Sequence, residues 1–138
     1  DTNVLLDYLA KRPGFVAAAE ALLEAARTGR LRLCTSGLAF QTVYYLLRRE
    51  GQPHLNVVGL LRRLNQVVAI QSLDESVVQA ALKSEFSDFE DALQYFVARG
   101  DDEISAIITR DPRGFRLGGL PVFSPAEALT RLAQTEYD

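Results

Sequence analysis

The stretch that decides the fold is Asp88-Phe89-Glu90-Asp91-Ala92-Leu93-Gln94-Tyr95-Phe96-Val97-Ala98. Its apolar residues recur at helical spacing, which predicts a helix with one buried stripe that ends at Gly100. Asp88 stands where an N-cap is expected, and Asp91 follows three residues later in the first turn. Acids at a helix start bind free backbone N–H groups and favour the positive end of the helix dipole. These carboxylates therefore have a structural explanation, and a functional role needs further support.

The composition bounds the class of protein. The chain has 138 residues, a formal net charge of −3, one cysteine (Cys34) and one histidine (His54). A single cysteine excludes an internal disulfide and favours a reducing compartment, so we expect a cytoplasmic protein. No apolar stretch is long enough to cross a membrane. The lone histidine argues against a zinc site and against a serine–histidine triad. The negative net charge argues against a broad surface that binds nucleic acid.

Predicted strands and helices alternate along the chain. The strands are predicted at 30–35, 67–70, 104–109 and 121–123. The helices are predicted at 2–9, 15–28, 36–49, 53–64, 75–83 and 88–99, with a last one from Ser124. No linker interrupts the pattern, so we predict one α/β domain over residues 1–138, with a parallel sheet covered on both faces. Because the sequence opens on Asp1 and contains no methionine, we also expect a first apolar strand upstream of Asp1.

Three acids are expected at one edge of the sheet. Asp111 follows a predicted strand, Asp1 is expected to follow the upstream strand, and Asp91 opens a helix. Sites in open α/β sheets form at the carboxyl ends of the strands. Carboxylates held close together repel one another unless a cation is present. Mg²⁺ or Mn²⁺ suits oxygen ligands, and such an ion can activate water for attack on a phosphodiester.

These residues resemble the PIN-domain family. The resemblance rests on Asp1-Thr2-Asn3-Val4-Leu5-Leu6-Asp7-Tyr8-Leu9, on the 88–98 stretch and on Ile107-Ile108-Thr109-Arg110-Asp111, in that order along nearly the whole chain. It implies a Rossmann-like three-layer α/β/α sandwich with a central, mostly parallel, twisted sheet. It also implies a Mg²⁺- or Mn²⁺-dependent ribonuclease that acts on RNA, and many members of the family are toxins of bacterial toxin–antitoxin pairs.

The resemblance also assigns roles to residues. Asp1, Asp91 and Asp111 correspond to the catalytic, metal-binding acids, and Asn3 and Thr109 to supporting polar residues. The family's remaining acid is usually a glutamate on the helix after the second strand, where this chain has Gln41. The amide removes one negative charge and puts the strength of metal binding in question.

Three further acids are interpreted from their positions in the sequence. Asp88 lies on the same side of its helix as Asp91 and is expected to support the site, either as a helix cap or beside the metal. Glu90 is expected to be solvated. Asp7 is expected at the surface or beside the metal site.

Two alternative functions stay open. A PIN fold that has lost catalysis would act through protein or RNA contacts. The presence of Gln41 in place of the usual glutamate supports this alternative. A haloacid-dehalogenase-type phosphatase would use Asp1 as its nucleophile, but it needs a second Asp where this chain has Asn3. A homodimer through the aromatic helix 40–47 and an antitoxin partner are further expectations, the second from the resemblance alone.

Overall fold

The structure is a computed structural model that describes residues 1–137. Within this range the chain forms seven α-helices, four short strands and one 3-10 helix. The helices are α1 (Thr2–Leu9), α2 (Val16–Arg27), α3 (Gly37–Arg49), α4 (His54–Asn65), α5 (Glu75–Lys83), α6 (Phe89–Arg99) and α7 (Pro125–Thr135). The strands are β1 (Leu33–Ser36), β2 (Val68–Gln71), β3 (Ile107–Ile108) and β4 (Val122–Phe123), and the 3-10 helix is Pro112–Phe115.

Local sequence signals account for most of the helix boundaries. Asp74 and Asp88 cap α5 and α6 by accepting from the backbone N–H groups of Val77 and Asp91. Ser124 begins α7 with a complete capping box to Glu127. Gly29 and Gly51 follow α2 and α3 with φ of 76° and 91°, a conformation that glycine adopts without strain. These starts and stops agree with the predicted helices to within about two residues.

The strands pair in parallel, as the alternation of strands and helices predicted. β1 pairs with β2 from Leu33–Val68 to Ser36–Gln71, and β3 pairs with β4 from Ile107–Val122 to Ile108–Phe123. The helices pack in separate groups around these pairs. One core cluster joins α1, α2, α3, α4 and β2, and another joins α5 and α6. The predicted α/β class, with parallel strands between helices, is confirmed.

The four strands form two pairs, and a cavity lies between the pairs. β1 and β3 both line this cavity, which has a volume of about 450 Å³ and mostly apolar walls. In residues 1–137 no helix is both long and apolar enough to cross a membrane.

Close packing behind α6 depends on one glycine. A Cβ atom at Gly118 would lie 2.3 Å from the Tyr95 ring, so only glycine fits at this position. The neighbouring Gly119 N–H donates to the Tyr95 hydroxyl at 2.8 Å, which gives this buried phenol a partner. Phe86 and Phe96 pack on the same ring. The back of α6 is thereby fixed against the segment that follows the 3-10 helix.

Candidate active site

A pocket of about 300 Å³ collects acids from three separate parts of the chain. The start of α1, the start of α6 and the turn after β3 meet here, and α3 closes one side. The lining residues are Asp1, Thr2, Asn3, Thr42, Leu46, Asp88, Glu90, Asp91 and Asp111. The three acids proposed from the sequence as catalytic therefore share one pocket, together with Asn3 and Asp88. Their chemical roles stay a prediction.

Thr109 connects two of these acids. Its side chain is fully buried directly after β3. The Thr109 hydroxyl donates to Asp1 Oδ2 at 2.8 Å and accepts from the Asp111 backbone N–H at 3.0 Å. The backbone nitrogen of Asp1 also donates to the Ile108 carbonyl at 2.9 Å. Asp1 is therefore held to the end of β3 by both its side chain and its backbone.

Asp91 lies close to other acids of the pocket and to the 3-10 helix. Its backbone N–H donates to Asp88 Oδ1 at 2.9 Å, which places it in the first turn of α6. A Cβ atom at Gly114 would lie 2.3 Å from Asp91 Oδ2, so the 3-10 helix approaches the carboxylate where no side chain intervenes. Burial, followed by the negative charges of Asp88, Glu90 and Asp111, raises the pKa of Asp91 to about 6. Asp91 is thus the acid in this pocket whose charge a cation would stabilise.

Glu90 is a pocket residue that the sequence assigned to solvent. It is half-buried, and its Oε1 accepts from the Thr2 hydroxyl at 3.0 Å and from Gln94 Nε2 at 3.3 Å. Thr2 is buried at the start of α1, so this contact joins α1 to α6 beside the acids. The signal that could have found it is the i, i+4 spacing of Glu90 and Gln94, which places both on one side of the helix.

A second missed residue is Asp7, which the sequence placed at the surface or beside the metal site. Its side chain is 1% exposed and forms an ion pair with Arg110. In the sequence, Arg110 stands between Thr109 and Asp111. Arg110 Nη2 donates to Asp7 Oδ1 at 3.1 Å, and Arg110 Nε lies 2.7 Å from Oδ2 as an ion pair without hydrogen-bond alignment. The Arg110 guanidinium also lies 3.9 Å above the Phe15 ring. Asp7 thereby anchors the turn that carries Asp111.

The remaining predicted residues lie at the margin of the pocket. Asn3 is exposed at its mouth. Asp111 is exposed, and its Oδ1 lies 3.5 Å from Arg113 Nε. Gln41 is exposed on α3 and is not among the lining residues, whereas the next residue, Thr42, is. Among the described residues, α3 thus contributes a hydroxyl to the pocket but neither a carboxylate nor the Gln41 amide.

The donors of the pocket fit a hard cation by their chemistry. They are carboxylate, hydroxyl and amide oxygens, which Mg²⁺ and Mn²⁺ prefer. Within residues 1–137, however, no three Asp, Glu, His or Cys side chains are close enough together to hold a metal ion. The acids line one pocket without converging on one point. Mg²⁺ keeps several waters in proteins, so carboxylates can also act on it through those waters.

Comparison with known families gives one match. A family model described as PIN domain matches residues 1–113, which is most of the chain. The chain belongs to the PIN-domain family. No curated protein and no solved structure matches it significantly. The matched range includes Asp1, Asp91 and Asp111, and the PIN-domain fold is a nuclease-type fold, generally that of metal-dependent ribonucleases.

Proposed function

We propose that this PIN-domain protein is a ribonuclease that depends on Mg²⁺ or Mn²⁺. The observation that carries the proposal is the pocket that Asp1, Asp91 and Asp111 line from three separate chain segments. Asp91 has a raised pKa, and helix capping does not explain its position, because Asp88 is the cap of α6. A cation would offset the repulsion among these carboxylates.

Each residue of the pocket has a proposed task. Asp1, Asp91 and Asp111 would hold the ion. When bound, the ion supplies an activated water and offsets charge on the phosphodiester. Thr109 orients the Asp1 carboxylate and the backbone of Asp111 through its two hydrogen bonds. Asp88 holds the first turn of α6 in place. No nucleophilic side chain is required.

Contact with RNA is proposed to be local. A net charge of −3 does not support a broad electrostatic surface for phosphates. Arg113 is exposed beside the pocket residue Asp111, and its guanidinium can contact two phosphate oxygens in a bidentate manner. We therefore propose that Arg113 binds the phosphate next to the one that is cleaved.

An RNA cleavage assay tests the proposed activity. An end-labelled RNA of mixed sequence is incubated with the protein in EDTA, in Mg²⁺ and in Mn²⁺. We expect cleavage only with metal, and a rate at least about 100-fold lower for Asp91→Asn, because even residues behind metal ligands contribute about 10–100-fold. Asp102→Asn makes the same chemical change in an exposed loop and should cleave like the wild type. Cleavage in EDTA, or by Asp91→Asn at the wild-type rate, would contradict the proposal.

A non-catalytic PIN module is the second candidate. The described residues contain no group of three acids close enough to hold a metal, and α3 offers Gln41 where the family usually has glutamate. This candidate predicts saturable RNA binding in Mg²⁺ and Mn²⁺ without product. Gel-shift and cleavage measurements on the same labelled RNA distinguish the two candidates.

Partners are proposed from family membership and from one exposed residue. An antitoxin protein is proposed because many PIN-domain ribonucleases are toxins. A homodimer through α3 is proposed because Tyr45 on that helix is 57% exposed. Light scattering of the wild type and of Tyr45→Ser tests the dimer, and a monomeric wild type at all concentrations would contradict it.

A further inference from the structure

The α3–α4 hairpin, residues 37–65, is a positively charged part of an acidic chain. It contains four arginines and one glutamate, a formal charge of +3, whereas the whole chain has a net charge of −3. The four arginines are Arg48, Arg49, Arg62 and Arg63. All four are exposed, and within residues 1–137 none of them forms an ion pair. A local excess of exposed arginine indicates a surface for an anionic ligand, since guanidinium groups bind phosphate well.

One of these arginines, Arg49, continues the wall of the acidic pocket. Thr42 and Leu46 of α3 line that pocket. Arg49 follows Thr42 by seven residues and Leu46 by three, a spacing that places all three on one side of the helix. It therefore lies about 5 Å beyond Leu46 along the helix axis. Arg48 is turned about 200° around the helix from Leu46, away from the pocket, and donates to the Gln52 carbonyl at 3.0 Å.

Tyr45 places an exposed aromatic ring beside Arg49. The two residues are four apart on α3, so their side chains are neighbours on the helix surface. Tyr45 is 57% exposed and is the single large hydrophobic side chain that α3 exposes. Tyr44, in contrast, is half-buried and hydrogen-bonds to His54 Nδ1 at 2.9 Å. In the described part of the chain the Tyr45 ring packs on no other aromatic ring, so it is open to a ligand.

An exposed ring next to an exposed guanidinium fits one nucleotide of a single strand. Any base can stack on an aromatic ring, and a guanidinium contacts phosphate oxygens. Paired bases are stacked on one another, so an unpaired nucleotide is the one that offers a free base. An amphipathic peptide helix would need several apolar contacts at helical spacing, and α3 exposes one large apolar side chain. The ring and the charge therefore favour single-stranded RNA over an acidic peptide.

We propose that Tyr45 and Arg49 bind one nucleotide of single-stranded RNA next to the acidic pocket. The base stacks on the Tyr45 ring, and the phosphate contacts the Arg49 guanidinium. The strand then runs along α3 and enters the pocket past Leu46 and Thr42. The site rests on the proposed function, since RNA is its ligand, but its occupation requires neither metal nor cleavage. A homodimer through α3 would cover the same ring, so these two uses of Tyr45 exclude each other.

RNA binding by the whole protein in EDTA tests the phosphate contact without cleavage. A fluorescently labelled single-stranded RNA of mixed sequence is titrated with protein, and anisotropy is measured between about 50 and about 200 mM salt. We expect Arg49→Ala to bind at least about fivefold more weakly and to lower the salt slope by about 0.7, the value for one phosphate of a single strand. Arg48→Ala removes the same charge on the other side of the helix and should change neither quantity.

The stacking contact has a different signature in the same measurement. Tyr45→Ala should bind the single strand at least about fivefold more weakly, because the base loses its partner, and should keep the wild-type salt slope. Tyr45→Phe keeps the ring and should bind like the wild type. When the RNA is annealed to its complement, Tyr45→Ala and the wild type should bind it equally, because no base is free to stack.

Several results would overturn the site. Equal losses in Arg49→Ala and Arg48→Ala would mean that charge acts without position. Tyr45→Phe as weak as Tyr45→Ala, or no RNA binding by the wild type, would also contradict it. A wild type that light scattering finds dimeric, and that becomes monomeric as Tyr45→Ser, would show that the ring lies in a protein interface.

Failure of the proposed ribonuclease activity gives a different result. RNA that is bound through Tyr45 and Arg49 but is not cut in Mg²⁺ or Mn²⁺ would remove the activity and leave the nucleotide site standing. Metal-dependent cleavage by the wild type, together with wild-type RNA affinity in Tyr45→Ala and Arg49→Ala, would overturn the nucleotide site and leave the activity standing.

Discussion

The Thr109 hydroxyl lies 2.8 Å from Asp1 Oδ2 and joins two residues that are 108 positions apart in the sequence. The same oxygen accepts the Asp111 N–H at 3.0 Å. One buried hydroxyl thus fixes the position of one pocket acid and the backbone of another. This arrangement makes Thr109 a positioning residue, which can be tested separately from the acids.

Replacing Thr109 by valine keeps the shape and removes the hydroxyl. We expect Thr109→Val to lower the free energy of unfolding by about 1–3 kcal/mol, because the Asp111 N–H loses its partner in a buried location. Mn²⁺ affinity should fall as well, since the Asp1 carboxylate is no longer oriented. Urea denaturation in EDTA and Mn²⁺ titration measure the two effects. Thr109→Ser keeps the hydroxyl and should bind Mn²⁺ like the wild type; equal losses in both variants would contradict this role.

Two substitutions separate the structural and electrostatic contributions of Asp88. Asp88→Ala removes the cap of α6 and should cost about 0.5–2 kcal/mol of unfolding free energy. Asp88→Asn keeps a good cap and removes the charge, so its unfolding free energy should stay close to that of the wild type. Chemical denaturation of both variants is the measurement. Equal destabilisation by Ala and Asn would show that the charge, and not the cap, matters.

The buried pair of Asp7 and Arg110 should contribute more than the exposed pairs. We expect Asp7→Asn to cost about 2 kcal/mol, below the 3–5 kcal/mol of a fully buried pair, because Arg110 is 28% exposed. Glu20→Gln breaks the exposed Lys11–Glu20 contact and should change stability by less than about 1 kcal/mol. Denaturation of both variants at neutral pH compares them. An Asp7→Asn protein as stable as Glu20→Gln would contradict the anchoring role.

The raised pKa of Asp91 predicts a pH dependence of stability in EDTA. The ordinary pKa of 3.8 rises to about 6 in the folded state, mainly through burial and then through Asp88. The folded protein therefore binds more protons than the unfolded chain between about pH 4 and about pH 6. The contribution of Asp91 to stability should fall as pH rises through this window and stay low above it.

Denaturation of the wild type and of Asp91→Asn across this window isolates the effect, because other groups cancel in the difference. The wild type should lose stability relative to Asp91→Asn as pH rises. A difference that stays constant between about pH 4 and about pH 6 would mean that Asp91 titrates as an ordinary acid.

Local signals predicted much of this fold. The predicted bounds of α5, which rest on the Asp74 cap and on helical spacing, agree with the structure. Other helix ends were predicted from the Asp88 cap, the Gly29 stop and the Ser124 capping box. β3 is shorter than predicted, two residues where 104–109 was expected, because the apolar run says where a strand can form but not how much of it finds a partner. The PIN-domain membership inferred from three motifs is confirmed.

Long-range partners explain what local signals missed. Asp7 is buried and forms an ion pair with Arg110, which is 103 positions away, and no periodicity in α1 predicts that pair. Glu90 is held in the pocket by Thr2, 88 positions away. Gln41 was assigned to the site because it stands where the family usually has a glutamate. In the structure, the next residue on α3, Thr42, lines the pocket instead. The grouping of Asp1, Asp91 and Asp111 followed from general topology, because strand ends of a parallel sheet share one edge.

The most direct test of the central claim is a Mn²⁺ titration of the wild type and of Asp91→Asn. Binding is measured as the rise in Tm between EDTA and saturating Mn²⁺. The claim is that acids from three segments form one cation site. We expect Mn²⁺ to raise the wild-type Tm in a saturable manner, Asp91→Asn to need at least about tenfold more Mn²⁺, and Asp102→Asn to match the wild type. Equal responses of all three proteins, or none in any of them, would contradict the claim.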